Sequence, residues 1–322
     1  MTEIVTLTIN PAVDVSTSVK ALKPFIKMRC AAAHHDPGGG GINVARVLKR
    51  FGGAPIAIYP AGGTTGQRLR NLVAREGVQS IVIPVDCETR EDLTVFDESS
   101  AAQYRFVFPG QPLTEQDWQA CLDALLRIAR PPAFVIASGS LPPGVPDDFF
   151  ARVAGAFKGR SKVIVDTAGP LLRQAMAHGV YLIKPNLHEF QELARTSAAD
   201  DATLVAMGRG MIARGETELI ALSMGEDGAL LISRDLALRA SAIPCTPQSV
   251  SGAGDSFLGA MIWSLMADRD LERALRYAVA GGSAALRSPG TELCRSDEVH
   301  RLVGEVVITA VAGDQPSLRA GP

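Results

Sequence analysis

The chain has 322 residues, of which 47% are hydrophobic and 20% charged; 32 Lys and Arg against 34 Asp and Glu leave a formal net charge of -2. That balance excludes a disordered or fibrous chain and gives no global bias toward nucleic acid or an anionic membrane. Five cysteines without a C-x-x-C pair exclude a disulfide framework and a cysteine zinc site, and are expected to be buried or half-buried reduced thiols.

The start, MTEIVTLTINP, lacks the basic segment of a signal peptide, and no apolar run reaches the ~20 residues of a membrane span. A cytoplasmic location without membrane or nucleic-acid partners is expected. Residues 11–30 and 88–108 look extended, with alternation in Leu93–Phe96 and Tyr104–Phe108 and no helix beside them. They predict a small β-sheet set apart from the main layer, as a lid or a dimer surface. From about 115 the chain alternates. Helical patterns cover Glu115–Ala129, Asp147–Phe157, Pro170–His178 and Thr203–Arg214. Short apolar runs at 134–136, 163–165, 181–183 and 219–222 are too short for helices and read as buried strands. This alternation predicts an α/β fold with a mostly parallel sheet flanked by helices, plus the small lid. Residues 1–311 read as one domain and 312–322 as a flexible tail.

Polar and small residues follow those strands: Ser138-Gly139-Ser140, Asp166, Lys184-Pro185-Asn186 and Ser223-Met224-Gly225. Ligands of open α/β sheets bind beyond the carboxyl ends of the strands, so a site is expected there. The sharpest motif is Gly252-Ala253-Gly254-Asp255 at the start of a helix running to about Met266. Small residues leave backbone N–H groups open, and the helix start adds partial positive charge, which suits a phosphoryl group. Asp255 beside that hole can take a proton from a hydroxyl; the alternative is a first-turn carboxylate that only balances the helix dipole. A second glycine loop, Pro37 to Gly41, opens a helix to about Phe51, with Asn43 able to bond a polyol hydroxyl. Neither loop has the spacing of a dinucleotide or Walker A motif.

Taken in order, Leu7–Asp14, Pro37–Arg46, Pro60–Gly63, Gln103–Gly110, Ser138–Gly144, Lys184–Glu189 and Gly252–Ser256 resemble the PfkB, ribokinase-like carbohydrate kinase family over nearly the whole chain. The resemblance implies a ribokinase-like fold and transfer of the ATP γ-phosphoryl to a sugar alcohol. Asp255 would be the base, with Gly252, Ala253 and Gly254 as the anion hole. Asp14, Gly38, Gly39, Asn43 and Ser138 match sugar contacts. Arg90 matches a holder of the substrate's phosphate. Lys27 and Arg29, in the lid, match groups reaching the sugar phosphate of a neighbouring subunit, so a homodimer through the lid is implied. Lys184, Asn186, Ser223, Gly225, Gly228 and Ser283 match nucleotide positions, and Glu189 completes an N-x-x-E pattern linked to Mg²⁺, acting directly or through water. Ser249, Ser251, Ala285, Ser288 and Gly290 lie in segments that hold a monovalent cation, K⁺, in relatives. Glycine stands where members acting on fructose 1-phosphate or tagatose 6-phosphate usually have lysine in the first loop. That favours phosphorylation of fructose 6-phosphate at its 1-hydroxyl to the 1,6-bisphosphate. Tagatose-6-phosphate kinase and 1-phosphofructokinase are the alternatives, and a catalytically inactive sugar-phosphate-binding regulator is the reading from another class.

Overall fold

A computed structural model describes residues 4–288, 290 and 292–311. The expected tail at 312–322 lies outside the described residues. In chain order, β1 (Ile4–Leu7), β2 (Ala12–Val19) and β3 (His34–Gly38) lead into α1 (Gly40–Arg50). Next come β4 (Ile56–Ala61), α2 (Gly63–Arg75), β5 (Gln79–Pro84), β6 (Arg90–Asp97), β7 (Ala102–Phe106) and α3 (Glu115–Leu126). The strict alternation follows: β8 (Phe134–Ser138), α4 (Phe149–Phe157), β9 (Lys162–Asp166), α5 (Gly169–Met176), β10 (Val180–Ile183), α6 (Leu187–Ala194), α7 (Asp201–Ala213) and β11 (Thr217–Ser223). The chain closes with β12 (Ala229–Ile232), β13 (Ala237–Ala240), α8 (Ala253–Ala267), α9 (Leu271–Leu286), α10 (Ser296–Leu302) and β14 (Ile308–Ala310).

Ten strands form one sheet in the order β14-β13-β12-β11-β10-β9-β8-β1-β4-β5. Pairing is parallel from β11 to β5 and antiparallel from β11 out to β14. Side chains alternate across it, because successive residues of a strand face opposite ways. On β11, Leu219 and Ala221 join the core under α1, α8, α9 and α10, while Ile220 and Leu222 join the core under α3 to α7. A third cluster, with Ile42, Tyr59, Leu69 and Val73, packs α1 and α2 on β4. Among the described residues no helix is long and apolar enough to cross a membrane.

The four-stranded lid has the order β3-β2-β6-β7. This corrects the expected boundaries. Within 11–30 only Ala12–Val19 is strand; residues 20–33 carry none, with Pro24 and a left-handed Phe25 (φ 63°) interrupting extended backbone. His34–Gly38 is a strand whose last two residues, Pro37 and Gly38, the sequence reading put in the glycine loop; its polar residues pair antiparallel with β2 rather than filling a core. The cysteines are free as expected, but Cys30 is exposed, since it lies in that strandless segment.

Thr114, Asn186, Asp200 and Asp270 cap α3, α6, α7 and α9 with side-chain oxygens. The other helix starts lack such a cap; α1 and α8 have glycine there, Gly39 and Gly252, and in α1 the Ile42 N–H donates to Thr8 Oγ1 at 2.9 Å instead.

Phe149, fully buried, meets Trp118 with ring centroids 6.2 Å apart and Phe150 at 5.8 Å. Phe149→Ala should lower folding stability by about 3–5 kcal/mol, read as a reduced midpoint in guanidinium unfolding with an unchanged slope.

Candidate active site

The carboxyl ends of the parallel strands deliver the first groups. Ser138 closes β8, Asp166 closes β9, Lys184 follows β10 and Ser223 closes β11. Lys184 Nζ lies 3.2 Å from Asp166 Oδ1, and Ser138 Oγ donates to Asp166 Oδ2 at 3.4 Å. Asp255 stands in the first turn of α8, 212 residues beyond Asn43, whose Nδ2 donates to Asp255 Oδ2 at 2.8 Å. The glycine-capped starts of α1 and α8 therefore face one another over the ends of the strands. The main chain comes close here: a Cβ at Gly40 would overlap Ser138 Oγ, and one at Gly38 would overlap the Asp14 carboxylate, so only glycine fits at either place.

Electrostatics in this cleft follow from burial. Burial pushes the Asp255 carboxyl up to about 6, and Asp166 adds to the rise; the Asn43 hydrogen bond, Lys184 and Arg105 work against it. Asp14, on β2, is pushed up to about 7 by burial, against the pull of Arg105. Burial pulls the Lys184 ammonium down, but Asp166 and Asp255 outweigh it and hold it charged.

The other expected residues fall into three groups. Lys184, Asn186 and Glu189 gather with Ser223, whose N–H donates to Pro185 O at 3.0 Å; Gly225 and Gly228 frame the single turn that follows, and Ser283 is buried on α9. Asn186 and Glu189 form a reciprocal cap: Glu189 N donates to Asn186 Oδ1 and Asn186 N to Glu189 Oε2, both at 2.9 Å. Ser249 and Ser251 are buried beside the end of α9, where Gln248 N and Ser249 N donate to Leu286 O. Gln103 Nε2 of the lid donates to Ser249 Oγ at 3.1 Å, and Ser251 Oγ is buried without a hydrogen-bond partner. Ala285 and Ser288 are buried on the facing segment and Gly290 is half-buried.

The lid residues are distributed less evenly. Arg90 is not a solvated edge charge. It donates to Asp92 Oδ1 and Asn10 O, both at 3.1 Å, and to Phe108 O. Lys27 and Arg29 are exposed in the strandless segment. Three further residues join the cleft: Asp166, Gly40 and Arg105. The end-of-strand position signalled Asp166. Gly40 sat unremarked in the glycine loop. Arg105, in an alternating strand, is felt by both Asp14 and Asp255, which no local pattern announces. A cavity of about 1310 Å³ opens at the opposite ends of β8 to β11 beside Lys158, Lys162 and Arg269, and contains none of these groups.

The profile of the pfkB family carbohydrate kinases matches residues 3–298. The ATP-dependent 6-phosphofructokinase isozyme 2 of Mycobacterium tuberculosis is 44% identical over 299 residues, covering 92% of this chain and 88% of the relative. The crystal structure of phosphofructokinase-2 from Escherichia coli in complex with substrates and products superposes with a TM-score of 0.90 at 36% identity, over 94% of this chain and 99% of that one. The same E. coli enzyme in complex with potassium gives a TM-score of 0.89 at 36% identity, over 95% and 99%. The chain belongs to the pfkB family of carbohydrate kinases.

Asp14 and Asp255 bind protons more tightly folded than unfolded, so the stability they contribute is full below about pH 4 and lost as pH rises through about 6 to 7. Asp14→Asn, which cannot ionise, should melt several degrees above wild type at pH 8 and approach it at pH 5, in thermal melts across that range.

Proposed function

We propose that this kinase transfers the γ-phosphoryl of ATP to the 1-hydroxyl of fructose 6-phosphate, giving fructose 1,6-bisphosphate and ADP. One observation carries the reading: Asp255, tuned to about 6, stands at the uncapped start of α8 and is held there by Asn43. As the 1-oxygen bonds to phosphorus, its proton passes to the Asp255 carboxylate and the bond from phosphorus to the ADP oxygen breaks. The open amides at 252–254 receive the transferred group. Lys184, already balanced between two carboxylates, meets the charge on the phosphates. Asp14, Asn43, Ser138 and the Gly38-Gly39 backbone orient the sugar.

Arg90 holds the substrate's phosphate, and Lys27 and Arg29 reach the sugar phosphate of a second subunit from the lid. On the nucleotide side, Asn186, Ser223, Gly225, Gly228 and Ser283 frame the ATP. The chain through residue 311 works as one domain.

Two ions fit the donors present. Glu189 has one oxygen used by the cap, which suits Mg²⁺, an ion that keeps waters and binds phosphates through one or two carboxylates. Bound there, it would neutralise phosphate charge. The orphaned, buried Ser251 Oγ, with Ser249 and the backbone at Ala285, Ser288 and Gly290, suits a monovalent cation such as K⁺, which would steady the loop before the anion hole.

The enzyme acts as a cytoplasmic homodimer in glycolytic carbohydrate metabolism. Phe25, Ile26, Tyr104, Phe106, Val107 and Phe108 of the lid and its flanks expose large apolar surface, as expected of a face that another subunit covers. Phe106→Glu combined with Phe108→Glu should convert the dimer to a species near 34 kDa in sedimentation velocity; a wild-type monomer would remove the lid interface.

ADP release with fructose 6-phosphate, fructose 1-phosphate and tagatose 6-phosphate as acceptors identifies the sugar. Preference for either of the latter keeps the chemistry and changes the acceptor; binding without turnover supports the regulator. The base must be ionised, so kcat should fall as pH drops through about 6. Asp255→Asn should lower kcat at least about 100-fold while sugar-phosphate binding persists.

A further inference from the structure

Behind the reacting groups lies an arginine with no access to solvent. Arg46, on α1, is 0% exposed. A guanidinium has five N–H donors and no acceptor, and here each donor has a partner. Nη1 donates to Pro37 O at 3.0 Å and to Asn43 Oδ1 at 3.1 Å. Nη2 donates to Glu76 Oε1 at 2.8 Å and to Asp36 Oδ1 at 3.4 Å, and Nε to Glu76 Oε1 at 3.1 Å. The guanidinium is thus clamped between the lid strand β3, which supplies Asp36 and Pro37, and Glu76 after α2. Burial pushes the Glu76 carboxyl up, but Arg46 and Arg50 outweigh it and hold it ionised.

We infer that Arg46 is a positioning residue for the transfer: by accepting nothing, it forces Asn43 to turn its amide oxygen inward and so to present Nδ2 to Asp255. An amide can rotate end for end with little change in shape, and only its neighbours decide which end points where. With the oxygen spoken for by Arg46, the nitrogen faces the carboxylate at 2.8 Å. Reversed, the amide would set oxygen against carboxylate and favour the protonated acid, which is a poor base. The relay also ties the base to the lid, because two of the four acceptors belong to β3. This inference rests on Asp255 acting as the base.

Its test reads Asp255 directly. The groups facing that carboxylate are Asp166 at the end of β9, Lys184 beyond β10, Asp14 on β2, Arg105 on β7 and Asn43 on α1; Arg46→Gln and Arg46→Lys leave all five in place. Carboxyl-¹³C NMR titration of the full chain, with Asp255→Asn used to assign the signal, gives the midpoint. Arg46→Gln supplies an acceptor, so the amide can reverse. The midpoint should rise by about one pH unit, and kcat near pH 6.5 should fall about threefold as the ionised fraction drops. Arg46→Lys, donor-only like the wild type, should recover most of the midpoint even if it melts lower. A purely structural arginine would instead move both variants in step with their melting temperatures and leave the midpoint alone. That result overturns the inference. Should neither variant fold, wild type suffices: the Asn43 side-chain NH₂ signals must titrate at the midpoint of Asp255, and failure to do so is equally fatal. The titration needs no substrate. A wild-type enzyme inactive on fructose 6-phosphate with a shifted Arg46→Gln midpoint would therefore remove the proposed reaction and leave the positioning role.

Discussion

A carboxylate withdrawn from water at the mouth of a helix is the constraint on which the cleft depends. Asp255, the proposed base, is raised in basicity by the same burial that makes its charge expensive. Asp166 close by makes the charge harder still to hold. Three elements relieve it: the Asn43 amide, the Lys184 ammonium and Arg105 across the lid. None comes from the helix that carries Asp255. The base is tuned by the assembly of a parallel sheet, two helix starts and a lid.

The helix starts differ at their caps. In α3, α6, α7 and α9 a Thr, Asn or Asp oxygen closes the first turn. At the start of α8, beside Asp255, glycine stands at the cap and no side chain closes the first turn. Glu189 sits between these cases, because the carboxylate expected to serve a metal also closes the cap of α6. The lid couples to the starts of α1 and α8. Gln103 touches the segment before α8, and Asp36 with Pro37 O grips Arg46 on α1. Movement of that small sheet would be felt on both sides of the base.

Legibility in the sequence varied with the range of the interaction. Strands β8 to β11 were readable because a buried parallel strand is a short run of apolar residues between breakers. The Gly252–Asp255 start was readable because small residues before a carboxylate have few other uses. β3 was not, since His34-His35-Asp36-Pro37-Gly38 has no strand periodicity and becomes a strand only against β2. Arg90 matched a phosphate holder in pattern, and three internal acceptors take three of its five donors while Nε stays without a partner, which spacing could not foretell.

By itself, then, the sequence determined the alternation of strands and helices, the two glycine loops and the family they belong to. These depend on sterics and periodicity within a dozen residues. Tertiary structure decided which charges meet. Asn43 and Asp255 are 212 residues apart, and Arg46 gathers acceptors from β3, α1 and the turn after α2. The ionisation of a buried group depends on the neighbours that folding brings within a few ångströms, and adjacency along the chain carries no record of them.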